Sequence, residues 1–170
     1  MISPSIKDWE NGIAEFRGIS IKTAGYQYRL LFSTDFDLPG GNTCLSSEIA
    51  VDAGPPHSLT VIEEPTLGPV YGGKVFIHQP LLHVVDAGNN IVDTDSSSRV
   101  AVFLYSNPTN AILQPIDMTV TRAENGVVRF KKLLIAQAGQ GYRFQYSLLS
   151  GSSNDIYNLE HSNITALGEY

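Results

Sequence analysis

The sequence predicts an all-β protein, an antiparallel sandwich of about seven strands preceded by the closing half of a similar module. Three observations predict it: two Asn-Gly turns set between alternating apolar runs, one clean period-two strand, and a long internal repeat. No stretch of a dozen residues carries a 3.6-residue apolar period with caps, so no helix is expected.

The elements follow in order. A type I′ turn needs positive φ at both central residues, which Asn-Gly tolerates, and the pair occurs at Asn11-Gly12 and again at Asn125-Gly126. Strands are expected at 59–62, 76–85, 100–105, 117–122 and 127–135, separated by turn clusters such as DAGNN and YSNPTN. The last predicted strand alternates cleanly. Tyr142, Phe144, Tyr146 and Leu148 fall on one face, and Arg143, Gln145 and Ser147 on the other, the pattern of a half-buried strand. A glycine turn entering that strand at AGQGY could let the Tyr142 phenol bond back to the chain as a tyrosine corner, and Tyr28 in AGYQY could do the same; filling core volume is the equal alternative for both.

The repeat organises the chain. Setting Asn11 on Asn125, an offset of 114 residues, gives ten identities over residues 10–33 without a gap: Glu10, Asn11, Gly12, Phe16, Ile21, Ala24, Gly25, Tyr28, Arg29 and Ser33. Several mismatches are conservative, among them Leu30 to Phe144 and Phe32 to Tyr146. Further on, Leu45 is set against Leu159, and SSEIAV resembles HSNITA with one residue inserted. Residues 1–51 therefore read as the C-terminal half of one module, 52–58 as a proline-rich linker, and 59–170 as a complete module. In the linker, Pro55 and Pro56 fix φ and favour an extended path. Half a module leaves Tyr28, Leu30 and Phe32 in need of a cover, supplied by the rest of that module in a longer chain or by a partner subunit through β-augmentation.

Composition excludes several classes. With 42% hydrophobic and 16% charged residues the chain can build a core, and the net charge of −6, with Lys and Arg scattered, provides no phosphate-binding stripe. Nucleic acid is not an expected partner. No apolar run approaches the roughly 18 residues of a membrane span, and the first residues lack a basic, then apolar, leader. One cysteine, Cys44, permits no internal disulfide.

The order GGKVFIHQPLLHVVDAGNNIV, then MTVTRAENGVVRF, then AGQGYRF resembles bacterial immunoglobulin-like surface repeats of the invasin and intimin kind, and more distantly filamin-type repeats. The matching residues are Phe76, Gln79-Pro80, Asp86, Gly88-Asn89, Asn125-Gly126, Ala138-Gly139 and Tyr142, and the likeness covers nearly all of 57–148. It implies an immunoglobulin-like sandwich in a spacer or adhesive rod at the cell surface. The implied partners are neighbouring repeats of the same protein or other subunits of a filament, with a glycan or surface protein as ligand. The stretches 93–99 and 105–115 are longer than in the tightest members.

Candidate chemistry is sparse. Asp35 and Asp37 in STDFDLPGGN, and Asp93 and Asp95 in DTDSSS, could give oxygen ligands to calcium, but neither loop has EF-hand spacing and acidic turn residues usually bond their own backbone. His78 and His83, five apart on a predicted strand, would point to opposite faces and form no ligand pair. No G-x-S-x-G, H-E-x-x-H, P-loop or dinucleotide fingerprint is present; no cofactor is expected. Cys44, aligned with Asn158, is dispensable to the module. Asn163-Ile164-Thr165 fits a glycosylation acceptor, and Asn42-Thr43-Cys44 its rarer form. The expected function is non-enzymatic and structural or adhesive; the alternative is a carbohydrate-binding or receptor module with Trp9, Tyr71, Tyr105 and the 105–115 loop as contact surface.

Overall fold

The computed structural model describes residues 11–65, 70–149 and, through the backbone alone, 157–167. It is all-β: among the described residues there are strands and a single 3₁₀ turn, with no α-helix. The chain divides into two units, Met1–Asp52 and Ala53–Tyr170. Trp9 lies outside the described residues.

Unit 1 contains β1 (Gly25–Tyr28), β2 (Leu31–Ser33), β3 (Thr43–Leu45) and β4 (Ile49–Val51). β1 pairs antiparallel with β4, and β2 with β3, so the chain runs out and returns as one interrupted hairpin. At the interruption the Ser46 hydroxyl accepts from Leu30 N at 2.9 Å while Ser46 N donates to Leu30 O at 2.9 Å, which keeps the backbone groups paired where the ladder breaks. Beyond β2 the tip is closed by Asn42, whose Oδ1 accepts from Leu38 N and whose backbone oxygen accepts from Thr34 N.

Unit 2 contains β5 (Ser58–Glu63), β6 (Val70–Tyr71), β7 (Leu81–Val85), β8 (Arg99–Ser106), β9 (Leu113–Gln114), β10 (Val120–Arg122), β11 (Val127–Arg129), β12 (Leu134–Ile135), β13 (Gly139–Leu149) and β14 (Tyr157–Leu167). One sheet has the order β10-β8-β13-β14-β6, a second β11-β7-β5, and β12 pairs with β9. The pairings are antiparallel apart from the short parallel contact of β14 with β6.

The two larger sheets share one core. Alternation on β13 delivers Tyr142, Phe144, Tyr146 and Leu148 to it, each at most 2% exposed, against Leu82 and Val84 of β7, which are fully buried. Phe130, just past β11, meets the Tyr146 ring at 6.0 Å between centroids, and Phe76 meets Phe144 edge-on at 5.8 Å. On the other face of β13, Arg143 is exposed as expected. Ser147 is not: it is 3% exposed, with Ala101 opposite it equally covered, so the polar side of this central strand is partly buried.

Three predicted strands are broken. The expected 76–85 strand is regular only from Leu81, because Gln79 intervenes with its side chain. The Gln79 amide donates to Phe76 O at 2.8 Å and Leu133 O at 3.2 Å and accepts from Leu133 N at 2.8 Å, standing in for a peptide group between two segments. The expected 127–135 strand splits at Lys132, whose φ of 60° turns the chain from β11, paired with β7, into β12, paired with β9. The expected 117–122 strand begins as a 3₁₀ turn, Ile116–Met118, behind Pro115, and only Val120–Arg122 pairs with β8. His78 consequently lies outside β7, so the opposite-face argument for His78 and His83 rests on a strand that does not extend that far.

Candidate functional site

The feature that organises this molecule is a hairpin present twice. Asn11 and Gly12 have φ of 52° and 78°, and Asn125 and Gly126 have 51° and 73°. At the same offset Gly18 and Lys132 are both left-handed (73° and 60°), as are Gln27 and Gly141 (64° and 81°). Two of these positions hold a non-glycine residue in one copy, so backbone geometry rather than residue type is what the copies share.

Each hairpin closes with the same bond. Tyr28 Oη donates to Thr23 O at 3.1 Å, and Tyr142 Oη to Gln137 O at 3.1 Å, in both cases five residues back. The preceding glycine explains the close fit: a Cβ on Gly25 would stand 3.1 Å from Tyr28 Oη, and one on Gly139 2.7 Å from Tyr142 Oη. The cross-strand register is also shared. Gly25 pairs with Val51 and Tyr28 with Ile49; Gly139 pairs with Ala166 and Tyr142 with Ile164, with a shift between the two pairs in both copies. This register moves one earlier assignment. Phe32 faces Cys44 and Tyr146 faces Leu159, and Leu31 faces Leu45 while Gln145 faces Glu160, so Cys44 corresponds to Leu159 rather than Asn158, Leu45 to Glu160 rather than Leu159, and the extra residue lies before Asn158 rather than between Leu159 and His161.

The copies differ in cover. Tyr142, Phe144 and Tyr146 are buried to 1% exposure or less, whereas Tyr28, Leu30 and Phe32 are only partly buried and Leu31 is 64% exposed. The difference has a visible source. In unit 2 the inward face of β13 packs against Leu82, Val84, Phe76 and Phe130, with β14 and β8 on its edges; in unit 1, among the described residues, β1 and β2 have only β4 and β3 beside them.

A second built feature is the turn after β7. Asp86 Oδ1 accepts from Gly88 N and Asn90 N, both at 2.8 Å, and both its oxygens accept from Asn90 Nδ2 at 3.0 Å. Asp86 Oδ2 also accepts from Gly54 N at 2.7 Å, and His57 N donates to Val85 O, so the prolines between them run between two anchored points of unit 2. The Asn90 side chain, then the Asn90 and Gly54 amides, hold this carboxyl down at about 2, against the opposing effect of burial. Here the DAGNN cluster is a carboxylate cage that fixes the entry to β5.

The acidic loops divide. Asp95 is 6% exposed, and its Oδ1 accepts from Ser97 N, Ser97 Oγ and Ser98 N. Burial pushes its carboxyl up, but the bonds from Ser98 and Ser97 outweigh that and hold it below the usual value. Asp93 is exposed beside it. Asp35 and Asp37 sit in the exposed tip, where Asp37 Oδ1 accepts from Asn42 Nδ2 at 3.3 Å. The four are therefore in two separate turns. Among the described residues no three His, Cys, Asp or Glu side chains are grouped as a metal site.

The remaining candidates are dispersed. Cys44 is exposed on β3. Asn163 is in β14, at the register position of the exposed Arg143. Tyr105 belongs to β8 rather than to a loop and is 54% exposed, with Phe103 two residues before it at 50%; Tyr71, on β6, is 49% exposed. A shallow open groove of about 270 Å³ is lined by Glu63, His78, Arg129 and Lys131 among others, with His78 Nδ1 3.1 Å from Glu63 Oε1.

No protein-family model matches the chain, and no curated protein matches it in sequence. Sequence reasoning missed the Gln79 bridge, although the Gln-Pro pair was noted, and it missed the reach of Asp86 to Gly54. The one available signal for the latter was an aspartate four residues before an asparagine in a turn, a spacing that suits a closed Asx-type loop.

Proposed function

We propose that this chain is a non-enzymatic, structural and adhesive segment of a larger repeat-built protein displayed outside the cell. Its module is an immunoglobulin-like β-sandwich, with the five-stranded and three-stranded sheets as its two layers and the Tyr142 corner at one end. The observation that carries this reading is the duplicated hairpin with one set of φ values and one register. The duplicated positions are turns, a corner tyrosine and core residues, which hold a shape and present no reactive group. The partners on this reading are neighbouring repeats or other subunits of a filament, and the ligand is a surface protein or glycan.

The test is the complete coding sequence around this segment. Further copies of the E-N-G…A-G-x-x-Y signature at the same spacing are expected; a reading frame with no third copy refutes the rod. In a secretory host Asn163 carries a glycan on this reading, and peptide mapping that finds it unmodified removes that part.

A second reading, carbohydrate binding, draws on the half-exposed Phe103 and Tyr105 on the outer face of β8. The intact chain on a glycan array decides between the two. Saturable binding lost in Tyr105→Ala favours the lectin-like module, and no binding favours the spacer.

A further inference from the structure

We propose that the outward face of β8 and β10 holds an anion site, the Arg99 and Arg122 pair, and that its ligand is an acidic polysaccharide bound through carboxylate or sulfate groups. This rests on the carbohydrate reading of β8, narrows its ligand, and uses unit 2 alone. Arg122 is the register partner of Arg99 in the antiparallel pairing of β10 with β8, so both side chains leave the sheet on one face. That face is the outward one, because Val100 and Val102, which alternate with Arg99, lie in the core. Both arginines are exposed. Across β8 the row continues into Leu149 of β13, which brings no acid.

Like charges set directly opposite one another destabilise a sheet, and nothing in the composition forces that arrangement here. The chain has 17 acidic residues against 11 basic, and Arg17 and Arg29 meet glutamates at 2.8 and 2.7 Å. Among the described residues Arg99 and Arg122 form no ion pair, not even with Glu124, two positions beyond Arg122. Guarding an edge against strand addition explains a charge on β10, an edge strand, but not one on β8, which lies between β10 and β13. Two guanidinium forks side by side instead suit an oxyanion, held by paired charge-assisted hydrogen bonds. The rest of the face selects the kind of molecule. Phe103 and Tyr105, 50% and 54% exposed, follow on β8, about 13 and 20 Å from Arg99 at strand spacing. A track of that length suits a polymer, with rings to lie against the apolar faces of sugars. A nucleic acid carries a charge on every nucleotide and meets the repulsion of a net charge of −6. A polysaccharide can present one acid to the arginines and uncharged surface to the rings.

The probes are hyaluronan, with a carboxylate on every second sugar, and κ-carrageenan, with a sulfate ester in the same proportion. Neutral dextran and single-stranded DNA are the controls. Titration calorimetry on the intact chain should show saturable binding of at least one charged polymer, and which of the two binds identifies the acid. Arg99→Gln and Arg122→Gln should each weaken it at least about tenfold, the effect of losing a hydrogen bond between charged groups. Arg129→Gln, an exposed arginine of β11, should leave it unchanged. Arg122→Gln should also melt no lower than the wild type, since a like-charged pair disappears; a lower midpoint would mark the pair as structural. The proposal is overturned if neither charged polymer binds, if the Arg99 and Arg122 substitutions leave affinity unchanged, if Arg129→Gln weakens it equally, or if the DNA binds as tightly. Dextran binding lost in Tyr105→Ala but untouched by Arg99→Gln would keep the carbohydrate reading and refute the arginine site, whereas no polysaccharide binding at all refutes both.

Discussion

Replacing Tyr142 by Phe removes one atom and tests the corner directly. Tyr142 is fully buried, and its hydroxyl bonds to two groups, the Thr109 hydroxyl and the carbonyl of Gln137. Each such hydrogen bond contributes about 0.5–1.5 kcal/mol net, so losing the two should cost about 1–3 kcal/mol. Unit 2 spans Ala53–Tyr170; for a domain of that size the loss corresponds to a fall of about 4–12 °C in Tm. Tyr28→Phe is the internal control. It removes the same bond, to Thr23 O, from a tyrosine that is only partly buried and makes no second side-chain hydrogen bond among the described residues, and water can take the vacated place. Its cost should be at most about 0.5 kcal/mol. Urea unfolding with amide exchange resolved for each unit measures both. The reasoning fails if Tyr142→Phe unfolds with the wild type, or if the two substitutions cost the same. A cycle with Thr109→Val then separates the hydroxyl contact from the carbonyl contact.

Other consequences are equally open to measurement. The Asp86 carboxyl, at about 2 in the folded chain, lies below its ordinary 3.8. Its stabilisation is therefore complete above the ordinary value and lost as pH falls through the folded one, and the urea midpoint should drop between about pH 4 and pH 2, less so in Asp86→Asn. A midpoint equally pH-dependent in both proteins would remove Asp86 as the source. Gly126→Ala should be much worse than Gly12→Ala, although both residues have positive φ. A Cβ at Gly126 would stand 2.5 Å from Val92 O, while at Gly12 nothing among the described residues lies within 4 Å. The shared conformational cost is about 1–2 kcal/mol, and only Gly126 adds a clash with backbone, so equal losses in thermal unfolding would contradict the packing of the second turn. Cys44 is exposed, and one equivalent of thiol should react with a disulfide reagent in the native chain as fast as after unfolding; a protected thiol would mean that β3 is covered.

Much of the all-β class was legible because it rests on local chemistry. Asn-Gly pairs reach positive φ cheaply wherever they occur, and the alternation of Tyr142, Phe144, Tyr146 and Leu148 declares an inward face without reference to any partner. The interruptions were not legible. Nothing in KKLLI announces that Lys132 turns left-handed, since lysine has no preference for that region; the turn exists because β11 and β12 belong to different sheets. Gln79 reads as a polar residue in an apolar run, and its bridge to Leu133 joins groups 54 residues apart. Ser147 reads as a solvent-facing position on an alternating strand and is buried because β13 is central.

By itself the sequence determined that the chain is built of strands, where its tightest turns lie, and that one hairpin is written twice, because propensity, turn geometry and identity at fixed spacing all act within a few residues. Which strands are neighbours, that Asp86 holds the entry to β5, and that among the described residues the hairpin is enclosed in one copy and only partly covered in the other came from the assembled structure alone. Those outcomes depend on groups brought together from distant parts of the chain, and burial belongs to the assembled layers rather than to any one segment.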